Sequence, residues 1–287
     1  MTGIERSDAT FTAWMRTNLD TAARHFAVTV TGPPVTGWRL RSLSAPVRNH
    51  HGTPRWLRIC TEHTRWLTTD ADWWTGNVDA NTITGIRKPH VLDWTQWDTP
   101  DQQRRVRAEL MTFLPERPCS PTDTLHTPIT LPQQWWHDLR HSLEHLHTIP
   151  THRFHHDTTE PPRVRHIFGD HVADALPRHW ETVHGDLHWN NLTQPRFGLL
   201  DWEMWGRGPT GIDAATLYLH SLPTPDTATH VWNTFTDTLT TPTGHAALIT
   251  AAARILHRTT HGDHPNLANP VRHFITPLIN ATTHHPR

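Results

Sequence analysis

Three prolines in seven residues, Pro115-Glu116-Arg117-Pro118-Cys119-Ser120-Pro121, divide the chain into two stretches of different pattern. Proline fixes its own φ and removes a backbone donor, so neither a helix nor an inner strand runs through such a segment, and it reads as a stiff connector. Before it lie short runs of strand character: Trp38 to Leu43, Ala45 to Arg48, Arg55 to Cys60, Pro89 to Leu92 and Ala108 to Leu114. Asn49-His50-His51-Gly52 joins the second run to the third as a hairpin turn. In the third run Trp56, Arg58 and Cys60 share one face, and Leu57 and Ile59 the other. A leading helix is predicted over Asp8 to Phe26, with Phe11, Trp14, Met15 and Leu19 at helical spacing; Thr31-Gly32-Pro33-Pro34 breaks the pattern. Another helix is predicted over Thr69 to Ile83, weakened by Gly76. After the connector the pattern turns helical, over Leu131 to His147, Thr210 to Leu222, Thr227 to Leu239, Gly244 to Arg258 and Pro270 to Ile279. Strands followed by helices predict an α+β fold of two lobes, a strand-rich one over residues 1–114 and a helical one over 122–287.

The 287 residues include 15 Trp, which build a core that a hydrophobic fraction of 35% alone would not promise. A formal net charge of −1 excludes a strong standing field for nucleic acid or an anionic membrane. No apolar run reaches the ~18 residues of a membrane span. The start, Met1-Thr2-Gly3-Ile4-Glu5-Arg6, lacks the pattern of a signal peptide, and Cys60 and Cys119 cannot make a disulfide framework. A cytoplasmic protein with no nucleic-acid or membrane partner is the expectation. Lys88 is the one lysine, so any role that needs a lysine falls to it or to an arginine. His137, His141 and His145 fall at i, i+4, i+8, a spacing that can hold Zn²⁺. With 27 His in the chain such spacings arise by chance, and a solvated polar face is the reading adopted. Trp73-Trp74 and Trp135-Trp136 read as packing residues.

The chemistry concentrates in Val183-His184-Gly185-Asp186-Leu187-His188-Trp189-Asn190-Asn191-Leu192, followed by Phe197-Gly198-Leu199-Leu200-Asp201-Trp202-Glu203. The first stretch has a glycine and no helical period, so it reads as a loop. Thr193 to Arg196 is a polar turn with Pro195, and Gly198 to Leu200 a short apolar return arm. A hairpin of this size brings Asp201 back beside Asn191 and Asp186. Two carboxylates and an amide oxygen then surround one small volume. These are hard oxygen donors of the kind that bind Mg²⁺ together with substrate phosphates and water. One carboxylate can be spared to orient an attacking hydroxyl.

His184-Gly185-Asp186-Leu187-His188, with Asn191 and then an apolar arm ending in Asp201, resembles the catalytic core of the aminoglycoside phosphotransferase family, whose fold is protein-kinase-like. The resemblance implies that Asp186 accepts the hydroxyl proton and that Asn191 and Asp201 hold Mg²⁺. It implies that His184 and His188 support the loop, and that Asp213, in Gly206-Arg207-Gly208-Pro209-Thr210-Gly211-Ile212-Asp213, braces it from a helix start. Protein kinases usually carry Lys where His188 stands. The resemblance extends to the first lobe. Met111-Thr112-Phe113-Leu114-Pro115 looks like the hinge that holds adenine, with Phe113 and Leu114 as nucleotide-contacting residues. Trp56-Leu57-Arg58-Ile59 looks like the strand whose Lys contacts phosphate, with Arg58 in its place, able to bind phosphate bidentately. Its acidic helix partner would be Asp79, or Asp72. The phosphate-covering loop, set against Arg41-Ser42-Leu43-Ser44-Ala45, lacks glycine.

From Met204 to Arg287 four acidic residues stand against five arginines, which argues against a strongly cationic acceptor. The resulting expectation is an enzyme that moves the γ-phosphoryl of ATP or GTP to a hydroxyl of a small molecule, assisted by Mg²⁺. The alternatives are a Ser/Thr peptide kinase and a non-catalytic nucleotide-binding module.

Overall fold

The computed structural model describes residues 3–68, 71–154 and 160–283. The chain divides into two compact units: Met1–Thr82 with Lys88–Pro115, and Ile83–Arg87 with Glu116–Arg287. Five residues in the middle of the first stretch thus belong to the second unit. Together the units have the α+β, protein-kinase-like composition that the sequence predicts, an antiparallel sheet early and helices late.

The first unit opens with helix α1 (Gly3–His25) and continues through strands β1 (Val28–Val30), β2 (Val35–Thr36), β3 (Ser42–Asn49) and β4 (Pro54–His63). A short helix, α2 (Gly76–Asp79), precedes β5 (Val91–Asp98) and β6 (Arg104–Thr112). The sheet order is β1-β3-β4-β6-β5, all antiparallel, with β2 on β3. The β3–β4 turn is fixed by the Asn49 side chain, which accepts from the amides of His51 and Thr53 at 3.1 and 2.8 Å, and by Gly52 at φ +76. One face of the sheet packs against α1: Met15, Leu19, Ala22 and Ala23 meet Leu43, Ala45, Val47, Leu57, Ile59, Val106 and Ala108. Each fully buried Leu or Ile here is worth about 1.5–3 kcal/mol, so the alternation along β4 sets which face becomes core.

Three expected elements differ. Trp38–Leu40 is a single tight helical turn with Arg39 and Leu40 at positive φ, so the strand begins only at Ser42. The helix expected over Thr69 to Ile83 is, where described, a series of short turns, Asp72–Trp74, α2 and Ala80–Thr82. Trp74 and Ile83 are buried, so packing has overridden a weak helical preference there. Of Arg41-Ser42-Leu43-Ser44-Ala45, set against a phosphate-covering loop in the sequence, Ser42 to Ala45 are strand β3 and Arg41 ends the turn before it. The connection from β1 to β3, residues 31–41, carries β2 and contains Gly32 and Gly37.

The second unit adds β7 (Arg117–Pro118), α3 (Gln133–His147), α4 (Glu160–Phe168), β8 (Trp180–Val183), β9 (Thr193–Gln194) and β10 (Gly206–Pro209). It closes with α5 (Ile212–Ser221), α6 (Pro225–Thr234), α7 (Thr236–Leu239), α8 (Pro242–Thr259) and α9 (Ala268–Thr283). The one helix expected over Thr227 to Leu239 is two, broken at Phe235. Helix α8 is buried along most of its length, from Ala246 to Leu256. Its start is set by Pro242 and by Thr241, whose hydroxyl accepts from the Gly244 amide at 3.0 Å. A Cβ at Gly244 would lie 2.1 Å from the Thr238 carbonyl oxygen, so only glycine allows α7 and α8 to approach this closely. Trp135 of α3 is buried, stacks on Trp189 at 6.2 Å and meets Phe197 edge-on at 5.5 Å.

Candidate active site

The site grows from a two-stranded ribbon. β8 pairs with β10, setting Val183 opposite Gly206. The loop that leaves β8 and the segment that enters β10 therefore start side by side. Gly185 has φ +82, and a Cβ there would sit 2.3 Å from the Met204 carbonyl oxygen, so the two segments touch backbone to backbone.

The loop is tied down at both ends. The Asp213 carboxylate, in the first turn of α5, accepts from the His184 and Gly185 amides at 2.7 and 2.9 Å. His184, fully buried, donates from Nε2 to the Leu200 carbonyl at 2.9 Å and lies edge-on to Trp202. Burial holds its imidazole below the ordinary pKa. At the far end the chain turns back. Thr193 N donates to Gly198 O at 3.0 Å, Leu192 bridges Leu199, and Leu200 N donates to Asn191 O at 2.8 Å. This is the hairpin the sequence predicts, and its last step sets Asp201, at φ 53, directly beyond the residue that pairs with Asn191. Asn191 Nδ2 donates to the Asp186 carbonyl at 2.9 Å and lies 3.3 Å from His188 Nε2.

Around Asp186 the charges are arranged in a shell. His188 Nε2 lies 3.4 Å from Asp186 Oδ2 and 3.5 Å from Asp123 Oδ1. Burial raises the Asp186 carboxyl, but the charge and hydrogen bond of His188, with the charges of Arg258 and His184, outweigh it and hold the group well below the ordinary carboxylate range. His188 moves the opposite way: burial lowers it, and Asp186, Asp123 and Asp201 raise it above its ordinary value. Arg254 of α8 places a guanidinium nitrogen 3.4 Å from the Gly185 carbonyl and donates to Glu160 at 2.7 Å.

Sequence reasoning missed Asp123. Its carboxylate lies 3.2 Å from His264 and 3.8 Å from Arg258, and its carbonyl accepts from the Trp189 amide. Burial pushes its carboxyl up, but His264 and His188 draw it down to about 2. It follows the proline-rich connector with no local pattern to mark it. Arg153 was missed too. Buried between α3 and α4, it donates to the carbonyls of Glu203 and Trp205, at 3.1 and 2.8 Å, and so fixes the segment after Asp201.

The residues that the sequence assigns to the nucleotide side lie in the first unit. Arg58 is directly opposite Glu109 in the β4–β6 register, its guanidinium 3.7 Å from that carboxylate. Glu109 is buried and also accepts from Arg107 at 2.9 Å and Asn77 at 3.0 Å. This acidic group beside Arg58 comes from a strand, where only helix residues had been considered. Asp79, at the end of α2, accepts from the Thr75 hydroxyl at 2.6 Å. Phe113 and Leu114 follow β6 outside its ladder, with Phe113 stacked on Trp56. Lys88 is buried, 3.5 Å from His90, and burial lowers its amine to about 8.

Asn191 and Asp201 offer an amide and a carboxylate oxygen from adjacent arms of one hairpin. That donor set suits a hard cation that completes its shell with phosphate and water. Among the described residues no three or more His, Cys, Asp or Glu side chains are grouped to hold a metal ion. In the α3 series, His137 and His141 stack on each other, and His145 bonds to the Thr84 carbonyl.

No family model matches the chain, and no curated protein matches it by sequence. Solved structures do. The chain is similar to aminoglycoside phosphotransferase APH(4)-Ia, at 12% identity and TM-score 0.62, over 93% of this chain and 98% of that one. It is similar to the amicoumacin kinase hAmiN, at 12% identity and TM-score 0.55, over 93% and 92%. It is also similar to choline kinase from Cryptosporidium parvum, at 11% identity and TM-score 0.53, over 88% of each chain. At such identities the likeness speaks to architecture, and over nearly its whole length this chain has the kinase-like fold that these small-molecule phosphotransferases share.

Proposed function

We propose that the protein is a Mg²⁺-assisted phosphotransferase that moves the γ-phosphoryl group of ATP or GTP to a hydroxyl of a small, hydroxylated acceptor. The observation that carries this is the hairpin that sets Asp201 beside Asn191, with Asn191 bonded to the backbone of Asp186. The known structures of this fold support it: APH(4)-Ia has been solved with ADP and hygromycin B, and hAmiN with AMP-PNP and Ca²⁺.

In this reading Asp186 receives the acceptor hydroxyl. Its depressed pKa keeps it ionised, so it orients the O–H and takes the proton as the new O–P bond forms and the bond to the leaving diphosphate breaks. Asn191 and Asp201 would hold Mg²⁺, which would neutralise charge on the phosphates. Arg58 would be the phosphate-contacting cation of the first unit, Asp79 its acidic helix partner, and Phe113 and Leu114 would contact the base. His184, His188 and Asp213 keep the loop in place. Four acidic residues against five arginines from Met204 to Arg287 favour a neutral acceptor over a polycationic one.

The test is a phosphorylation screen over hydroxylated metabolites and antibiotics, with ATP and with GTP, read by mass spectrometry against Asp186→Asn as control. A product made by the wild type and not by the variant is the expected result. Equal product from both would overturn the assignment.

A further inference from the structure

The arm that ends in Asp201 has two edges, and the reading above uses one. Toward the loop, Leu200 N bonds to Asn191 O. On the next residue the direction alternates, as in any extended arm, and Leu199 N donates to Arg87 O at 2.9 Å. Arg87 closes the second edge with its side chain as well. One guanidinium nitrogen donates to the Phe197 carbonyl at 3.2 Å, and another meets Glu116 Oε2 at 2.6 Å. Both side chains are largely buried, 23% and 12% exposed, so the pair is not a loose surface contact. Burial pushes the Glu116 carboxyl up, but the hydrogen bond and charge of Arg87 outweigh it and hold the group below its ordinary range.

The segment that carries Arg87 is itself fixed. Ile83 and Ile86 are buried, and the Thr84 carbonyl accepts from His145 of α3 at 2.9 Å. Gly85 is at φ +78, with the His145 ring 3.1 Å from where a Cβ would stand. The arm is therefore held between the catalytic loop and a segment anchored on α3, and Arg87 is the side chain that spans from that segment to the arm and to the connector.

We infer that Arg87 is a positioning residue, which sets the place of Asp201 through the Phe197–Leu200 arm and thereby the affinity for the divalent cation. The inference rests on the reading of Asp201 as a metal ligand. Partners that orient a ligand, without touching the metal, commonly change metal affinity about 10–100-fold.

The test compares the full-length wild type with Arg87→Met and Arg87→Lys. Amide hydrogen exchange at Leu199 and Leu200, without ligand, reads the arm. Mn²⁺ binding with a non-hydrolysable ATP analogue, read by water-proton relaxation, reads the cation site. Arg87→Met is expected to exchange about tenfold faster at both amides and not in α8, and to bind Mn²⁺ about tenfold more weakly. Arg87→Lys, which keeps the charge on Glu116 but not the fork, should fall between and supplies the comparison if the Met variant does not fold. Unchanged exchange in a folded variant overturns the inference, and so does faster exchange with unchanged Mn²⁺ affinity. Faster exchange in a protein whose wild type binds no Mn²⁺ overturns the metal reading of Asp201 instead, and leaves Arg87 as a brace of the arm alone.

Discussion

Burial raises the Asp186 carboxyl, but His188 and Arg258 outweigh it and hold the group below the ordinary carboxylate range. Asp186→Asn keeps the shape and removes the proton acceptor that the proposed function assigns, so under that proposal turnover is expected to fall about 10²–10⁴-fold. An unchanged melting temperature would show that the loss is chemical. Arg58 is tested by a pair: Arg58→Lys should keep nucleotide affinity, while Arg58→Ala should raise the nucleotide KM about tenfold or more. Equal KM for wild type and Arg58→Ala would remove the phosphate role. Lys88 gives a pH signature. Its buried amine titrates near 8, down from 10.5, so between these values the unfolded chain binds more protons than the folded one. Stability linked to Lys88 therefore rises with pH across that window, and at pH 7 the cost of burying the charge is fully present. Lys88→Met should melt higher than wild type at pH 7 and lose that rise, as calorimetry from pH 7 to 10 would read. At this scale the sequence told one half of each story. The hairpin that returns the chain from Asn191 to Leu200, just before Asp201, was legible from spacing. Glu109 opposite Arg58 and Asp123 beside His188 were not, because cross-strand register and tertiary approach leave no trace in neighbouring residues.

Among the elements, the 185–204 contact is the most demanding. Gly185→Ala must place a Cβ 2.3 Å from the Met204 carbonyl oxygen at a φ of +82. The backbone term alone costs about 1–3 kcal/mol, so a lower melting temperature and loss of phosphotransfer are expected together. A fully active, equally stable variant would contradict the packing described. The hairpin was legible because a polar turn with Pro195 separates Asn191 from an apolar arm, and both parts are local. Helix α1 was legible from Phe11, Trp14, Met15 and Leu19, of which Met15 and Leu19 are core. The region before Ile83 was not. Its periodicity suggested one helix, but buried Trp74, Asn77 and Ile83 are satisfied by short turns, a choice made by packing.

For the molecule as a whole, the second unit resumes at Glu116, inside the proline-rich segment. No pattern announced that Ile83–Arg87 belongs there too, because five residues are too few to carry a period. Both thiols are buried, and burial raises Cys119 to about 12. Neither should react with a thiol reagent in the native state, and both should react on unfolding. Rapid native labelling at Cys119 would show that the region around the connector opens. No described helix is long and apolar enough to cross a membrane.

The placement of Ile83–Arg87 also matters for how the chain is made. Synthesis runs from the N-terminus, so this segment leaves the ribosome before its hydrogen-bonding partners in the second unit exist. The partners of this segment, Glu116, His145 and Phe197, come later by increasing intervals. The first unit can complete its sheet at β6 while these five residues are still without their counterparts. In such a nascent chain the bonds of this segment to Glu116, His145 and Phe197 are complete only once the arm that ends in Asp201 has been translated.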